Sequence, residues 1–255
     1  MSLIRFEQVT KDLGGRRVLD ALNLEVAAGE TLVILGSSGA GKSVTLKHMI
    51  RLLRPDRGRV WVGKDCISHA SAHELERIRN RFGMLFQGAA LLQWMTVFDN
   101  VALPLREKTR TPESEIRRRV MERLELLGIA NAAGKMPSEL SGGMQKRVGL
   151  ARAMIQSPEI ILYDEPTSGL DPTTSRSIDA MILDLKRRLG ITSVVVTHDL
   201  HSALAIADRI AVLHEGRFAE LATPEEFVHS THALARGFLE AQYITRAGPW
   251  EEKTP

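Results

Sequence analysis

The chain has 255 residues, 44% of them hydrophobic and 25% charged, which is enough for an ordinary globular fold with a buried core. A formal net charge of +3 is small for that length, and the basic runs Arg117-Arg118-Arg119 and Lys186-Arg187-Arg188 sit in helix-patterned segments, so no nucleic-acid partner is expected. The single cysteine, Cys66, excludes an internal disulfide and a thiolate metal cluster and fits a reducing compartment.

The opening MSLIRFEQVT alternates apolar and polar residues like a strand and lacks the apolar run of a signal peptide. Strand patterns recur over residues 3–9, 18–26, 31–35, 59–62, 83–86, 159–163, 193–197 and 209–213. Helical periodicity fills 42–53, 113–127, 142–156, 173–189 and 200–207. Their alternation predicts an α/β fold with a mostly parallel central sheet, and the paired runs near the N terminus add an antiparallel β layer. Residues from about 88 to 157 read almost entirely as helix, a subdomain inserted into the α/β body. The uncharged FGMLFQGAALLQWMTVF, residues 82–98, is too short for a membrane span and is interrupted by Gln87, Gly88, Gln93 and Thr96. Residues 1–221 are expected to form the main domain and 222–255 a C-terminal helical extension and tail. Within the extension, EEFVHSTHALARGFLEAQYI patterns as one amphipathic helix, and GPWEEKTP reads as a frayed end.

Chemistry concentrates in three places. The strand over 31–35 runs into GSSGAGKS, which is Gly36, Ser37, Ser38, Gly39, Ala40, Gly41, Lys42 and Ser43, and then into helix at Val44. This is a phosphate-binding loop in its required strand–loop–helix setting: backbone N–H groups close on phosphate oxygens and the helix dipole points at the same spot. Lys42 should reach the β- and γ-phosphates of ATP, and the Ser43 hydroxyl should hold Mg²⁺. In EIILYDEP an apolar strand ends in two carboxylates at the edge of the sheet where ligands bind. Asp164 would hold Mg²⁺ through water, and Glu165 would act as general base on the attacking water. A second apolar strand, SVVVTHD, ends in His198, placed to contact the γ-phosphate and order the water. Finally LSGGMQKR opens a helix with Ser141, Gly142 and Gly143, a second anion-binding nest. One triphosphate in one chain has no use for two nests. Two copies arranged head to tail would each complete the other's site.

These motifs together resemble the nucleotide-binding subunit of an ATP-binding cassette transporter, over residues 3–221. The resemblance implies that two copies sandwich two ATP molecules and that Gln87 senses the γ-phosphate and Mg²⁺. It places Asp171 in the loop SGLD that faces the opposite copy, and puts Leu13 where the family usually stacks an aromatic side chain on adenine. It also makes the segment after Gln87 the seat of a membrane subunit, with Leu91, Leu92, Trp94, Met95 and Phe98 lining a groove and Gly88-Ala89-Ala90 permitting close approach. In detail FGMLFQGAALLQWMTVFDNVALPLRE, GKSVTLKHMIRLLRPDRG and MPSELSGGMQKRVGLARAM are similar to the MlaF-type ATPases of the Mla/Mce lipid transport systems. That likeness implies a permease of the MlaE type, an MCE-domain lipid carrier and a STAS-domain protein as partners, and phospholipid movement between bacterial membranes. The chain would then sit peripherally on the cytoplasmic face of the inner membrane. The alternatives are an ATPase for another solute or a lipoprotein, or a cassette protein acting on ribosomes or DNA.

Overall fold

A computed structural model describes residues 2–242. Two sheets carry the fold. β1 (Ser2–Leu13) and β2 (Arg16–Ala27) form an antiparallel hairpin, extended by β4 (Arg57–Val62) and β5 (Asp65–Cys66) in the order β2-β1-β4-β5. The second sheet has the order β10-β9-β3-β8-β7-β6, built from β3 (Thr31–Leu35), β6 (Phe82–Leu85), β7 (Ile160–Asp164), β8 (Thr192–Thr197), β9 (Arg209–His214) and β10 (Arg217–Ala222). Its strands are parallel except for β10, which pairs antiparallel with β9. The expected α/β architecture with an added antiparallel layer is therefore what forms.

The central strands are apolar on both sides because both of their faces are covered. Leu32 and Ile34 of β3, Ile160 and Leu162 of β7, and Val194 and Val196 of β8 face one core with the antiparallel sheet and α1 (Lys42–Met49). Val33, Leu35, Ile161, Tyr163 and Val195 face the other core, which the inserted helices complete. Those helices are α3 (Val97–Lys108), α4 (Glu113–Leu126) and α5 (Gly142–Met154). They lie between β6 and β7 in sequence, where the subdomain was expected.

Several boundaries differ from the sequence pattern, each for a local reason. α1 stops at Met49, and Arg51 then turns into the left-handed region at φ 51°. α2 (Ala72–Arg79), which periodicity does not mark, is started by a capping box between Ser71 and Glu74. α6 (Pro172–Leu189) and α7 (Leu200–Ile206) follow the pattern closely. The amphipathic C-terminal segment is not one helix. It splits into α8 (Pro224–Val228) and α9 (Ala233–Ala241), because Ser230 and His232 satisfy main-chain N–H groups between them and His232 caps the second piece. Phe227, Ala235 and Leu239 dock both pieces on the chain's own core. β10 also runs one residue past the expected boundary at 221. The ending GPWEEKTP lies outside the described residues.

Candidate functional site

The phosphate-binding loop closes on itself around Lys42. Its ammonium is 7% exposed with the rest of the residue and donates to the carbonyls of Gly36 at 2.8 Å and Ser37 at 3.1 Å. Gly41 takes φ 106° and lies so near Val18 that a Cβ would come within 3.0 Å of its carbonyl oxygen, so a side chain there would be both strained and crowded. Ser43, in the first turn of α1, donates to Asp164 Oδ1 at 2.8 Å across 121 positions of sequence. The hydroxyl and carboxylate expected at one cation are thus adjacent.

Glu165 follows Asp164 past the end of β7, where its main chain is left-handed at φ 50°. For a residue with a Cβ this conformation costs about 1–3 kcal/mol and marks functional positions. The bend turns its carboxylate onto three groups. Oε1 lies 3.4 Å from Lys42 Nζ. Oε2 meets His198 Nδ1 at 2.9 Å and the Thr197 hydroxyl at 3.4 Å. A carboxylate can only accept, so Nδ1 donates to Glu165. The backbone is held from both sides: the Glu165 amide donates to Val196 at 2.9 Å, and its carbonyl accepts from Lys146 Nζ at 3.1 Å. Burial pushes the Lys146 ammonium below its usual value, against the opposing pull of Glu165 and Asp164.

These groups border a cavity of about 750 Å³. Ser37, Ser38, Gly39, Gly41, Lys42, Ser43 and Val44 line its floor, Leu13 and Val18 one end, and Gln87, Glu165 and His198 the other. Gly36 contributes its carbonyl to Lys42, while Ala40 faces a smaller neighbouring cavity with Arg16 and Glu215. Leu13 is partly exposed at the tip of the β1–β2 hairpin, as expected of a base contact. Ser141, Gly142 and Gly143 do not border this cavity. Ser141 caps α5 by accepting from the Met144 amide at 3.3 Å, and a Cβ on Gly143 would fall 2.5 Å from Thr174 Cγ2. The second glycine is therefore also required for α5 to approach α6. Asp171 likewise lies off the cavity, capping α6 through the amide of Thr174 at 3.0 Å.

Sequence reasoning missed three contributors, two at the cavity and one that shapes the loop after Gln87. Lys146 is one; its ammonium also donates to the Gln87 carbonyl. The second is α9, whose Phe238, Ala241 and Gln242 close one side of the cavity. The Gln242 amide donates to the His198 carbonyl at 2.8 Å and accepts from the Leu200 amide at 2.9 Å. The third is Asn100, fully buried on α3. Its Oδ1 accepts from the Leu92 amide at 2.8 Å, and its amide donates to the carbonyls of Leu92, Met95 and Thr96 at 3.0–3.1 Å. Asn100 thereby shapes the loop that carries Trp94.

On that loop the structure divides the expected groove. Trp94 is 73% exposed, with Leu92 and Met95 half-buried beside it. Leu91 is core instead, and Phe98 packs on that core under the guanidinium groups of Arg106 and Arg117. Ala89 is buried with φ 57°, and Arg152 donates to the carbonyls of Ala89 and Ala90 at 2.7 and 2.8 Å. Its small size thus serves an internal fit against Gly149. Among the described residues, no helix is long and apolar enough to cross a membrane.

A phosphate-binding loop, an acidic strand end and a histidine converging on one cavity define a nucleotide-hydrolysing P-loop protein. The family model for ABC transporters matches residues 19–168. The chain is 42% identical over 250 residues to a probable ribonucleotide transport ATP-binding protein, mkl, of Mycobacterium leprae, covering 98% of this chain and 72% of that one. It is 42% identical over 242 residues to the methionine import ATP-binding protein MetN of Rhodospirillum rubrum, covering 93% and 69%. Among solved structures it is similar to the dimeric ATP-binding cassette MJ0796 bound to ADP and Pi, with TM-score 0.79 and 34% identity over 87% of this chain and 98% of that chain. It is also similar to cbiO1 of Clostridium perfringens, part of the ABC transporter complex cbiONQ, with TM-score 0.83 and 28% identity over 95% and 97%. The chain belongs to the ABC transporter family, as an ATP-binding, ATP-hydrolysing subunit.

Proposed function

We propose that the chain powers a lipid transporter, hydrolysing ATP between two copies of itself and driving a separate MlaE-type permease that moves phospholipid between the inner and outer membranes. The observation that carries the composite site is an asymmetry. Most of the phosphate loop, with Gln87, Glu165 and His198, borders a single cavity and Asp164 is hydrogen-bonded to its Ser43, whereas the Ser141–Gly143 nest sits off it. In a head-to-tail pair that nest, with Asp171 beside it, would close the cavity of the other copy.

The chain's own residues divide the work. Backbone N–H groups of residues 37–43 hold the phosphates, and Lys42 shifts from the Gly36 and Ser37 carbonyls onto the β- and γ-phosphate oxygens. Glu165 Oε2 takes a proton from the attacking water, while His198 fixes that carboxylate through Nδ1 and would lie against the γ-phosphate. Ser43 and Asp164 present hard oxygens 2.8 Å apart, a set that fits Mg²⁺, which usually takes one or two protein oxygens and completes its shell with phosphates and water. When bound, Mg²⁺ would neutralise charge developing on the phosphates, with Gln87 reaching it from the cavity wall. Leu13 and Val18 would flank the base.

The lipid reading is supported by the wording of the segments around Gln87 and Ser141, which are similar to MlaF-type ATPases, and by the exposed Trp94 beside Met95, which would offer an apolar contact to a permease. In that reading the chain lies on the cytoplasmic face of the inner membrane, with an MCE-domain protein and a STAS-domain protein in the same complex. The names of the relatives favour a second reading, a transporter of a small solute such as methionine or a ribonucleotide. Detergent extraction of the tagged chain from its own membranes separates the two. The lipid reading predicts a co-purifying permease and MCE-domain protein with bound phospholipid detected by mass spectrometry. A permease with a small-solute-binding protein and no lipid would contradict it, and association with ribosomes or DNA alone would contradict both.

A further inference from the structure

Lys146 sits on α5 one turn beyond the Ser141–Gly143 nest and is 5% exposed. Burying an ammonium is far costlier than burying the methylenes that carry it, so a residue needed only to fill this space would be apolar. Both of its partners are main-chain oxygens, those of Gln87 and Glu165. They belong to the two segments that bring the sensing glutamine and the general base to the cavity. Glu165 is strained at φ 50°, with its amide tied to β8 through Val196. Its carbonyl, at the other end of that bend, accepts from the Ser168 amide at 3.2 Å and from Lys146 Nζ at 3.1 Å, the only one of the two that also reaches the Gln87 loop. Rotation there would swing the carboxylate off His198.

We propose that Lys146 is a positioning residue: it holds Glu165 in its left-handed backbone through the Glu165 carbonyl and links that geometry to the Gln87 loop. The inference rests on Glu165 being the general base. The signature helix then has a role within its own chain as well as toward a partner copy, because a shift of α5 moves Lys146 and, with it, the alignment of Glu165.

The test is steady-state and single-turnover MgATP hydrolysis by the full chain, with affinity read from a fluorescent ATP analogue. Lys146→Met keeps the stem and removes the donor. It should lower kcat about 10–100-fold, the cost of a misplacement near 1 Å, while the nucleotide Kd changes less than about threefold. Lys146→Arg should restore most of the loss. In a Glu165→Gln background, Lys146→Met should cost less than about twofold further, since the group it positions is already disabled. Parental kcat in Lys146→Met would overturn the proposal. So would an equal loss in both backgrounds, or a parallel loss of nucleotide affinity, since either would mark general structural damage. If Lys146→Met does not accumulate as folded protein, Lys146→Leu, which also lacks the donor, takes its place in the same comparison. Parental turnover in Glu165→Gln alone would remove the general-base reading itself, an outcome distinct from those for Lys146.

Discussion

At the scale of single residues, the site is a set of polar groups whose positions are fixed by main chain. Lys42 is held by two carbonyls and faces a carboxylate at 3.4 Å, so it is poised rather than free. Lys42→Ala should abolish most turnover by removing charge stabilisation at the γ-phosphate, and unchanged ATPase kinetics would contradict the assignment. Glu165→Gln should bind ATP yet hydrolyse it about 10²–10⁴-fold more slowly, as measured by single turnover. Leu13 offers an aliphatic face where a base would lie. Leu13→Tyr should tighten ATP binding about 2–10-fold by supplying a stacking partner, read as Kd by fluorescence titration. Lys42, Glu165 and His198 were legible in the sequence because phosphate chemistry demands fixed spacing within short segments. Lys146 was not, because its acceptors lie 59 and 19 positions away and no local pattern connects them.

At the scale of elements, two buried polar side chains organise what periodicity alone leaves open. Asn100 makes four contacts to the loop carrying Trp94, so Asn100→Ala should cost about 1–3 kcal/mol and leave that loop's main-chain groups unpaired. Trp94→Ala, in contrast, should leave the melting temperature unchanged and weaken permease binding in a pull-down from detergent. Equal loss of stability and binding would make Trp94 a packing residue. Asp179 of α6 joins that helix to α7: the Ser202 hydroxyl lies 3.0 Å from Asp179 Oδ2 and 2.9 Å from Asp199 Oδ2, and Arg176 faces both carboxylates. Burial raises the Asp179 carboxyl above its usual range, with Ser202 and Arg176 opposing that shift. A raised value in the folded state means stability that is present below about pH 4, the ordinary aspartate value, and lost as pH rises through the elevated one. Asp179→Asn cannot lose that proton. Thermal melts should therefore show the variant gaining on the parent as pH rises from about 4 through the elevated carboxyl value, and a pH-independent difference would contradict this. The C-terminal region shows where pattern fails. Its apolar residues lie on either side of the polar stretch at 229–232, where side-chain hydrogen bonds separate one helix from the next.

At the scale of the whole molecule, the two sheets and the helical insert place the phosphate-loop cavity apart from the Ser141–Gly143 nest. The architecture was legible because the strands over 31–35, 159–163 and 193–197 carry consecutive apolar residues at their centres, as strands covered on both faces do. The approach of α9 to the cavity was not, since Gln242 reaches residues more than 40 positions earlier. The central claim is that ATP is hydrolysed between two copies, each lending the nest the other lacks. It is tested most directly by mixing two defective chains, one with Lys42→Ala and the other with Ser141→Arg, and measuring ATPase activity. Each alone should be inactive, and the mixture should recover turnover, because the mixed pair rebuilds one site from an intact loop and an intact nest. A mixture no more active than its separate components, or a Ser141→Arg chain that hydrolyses ATP normally by itself, would contradict the account.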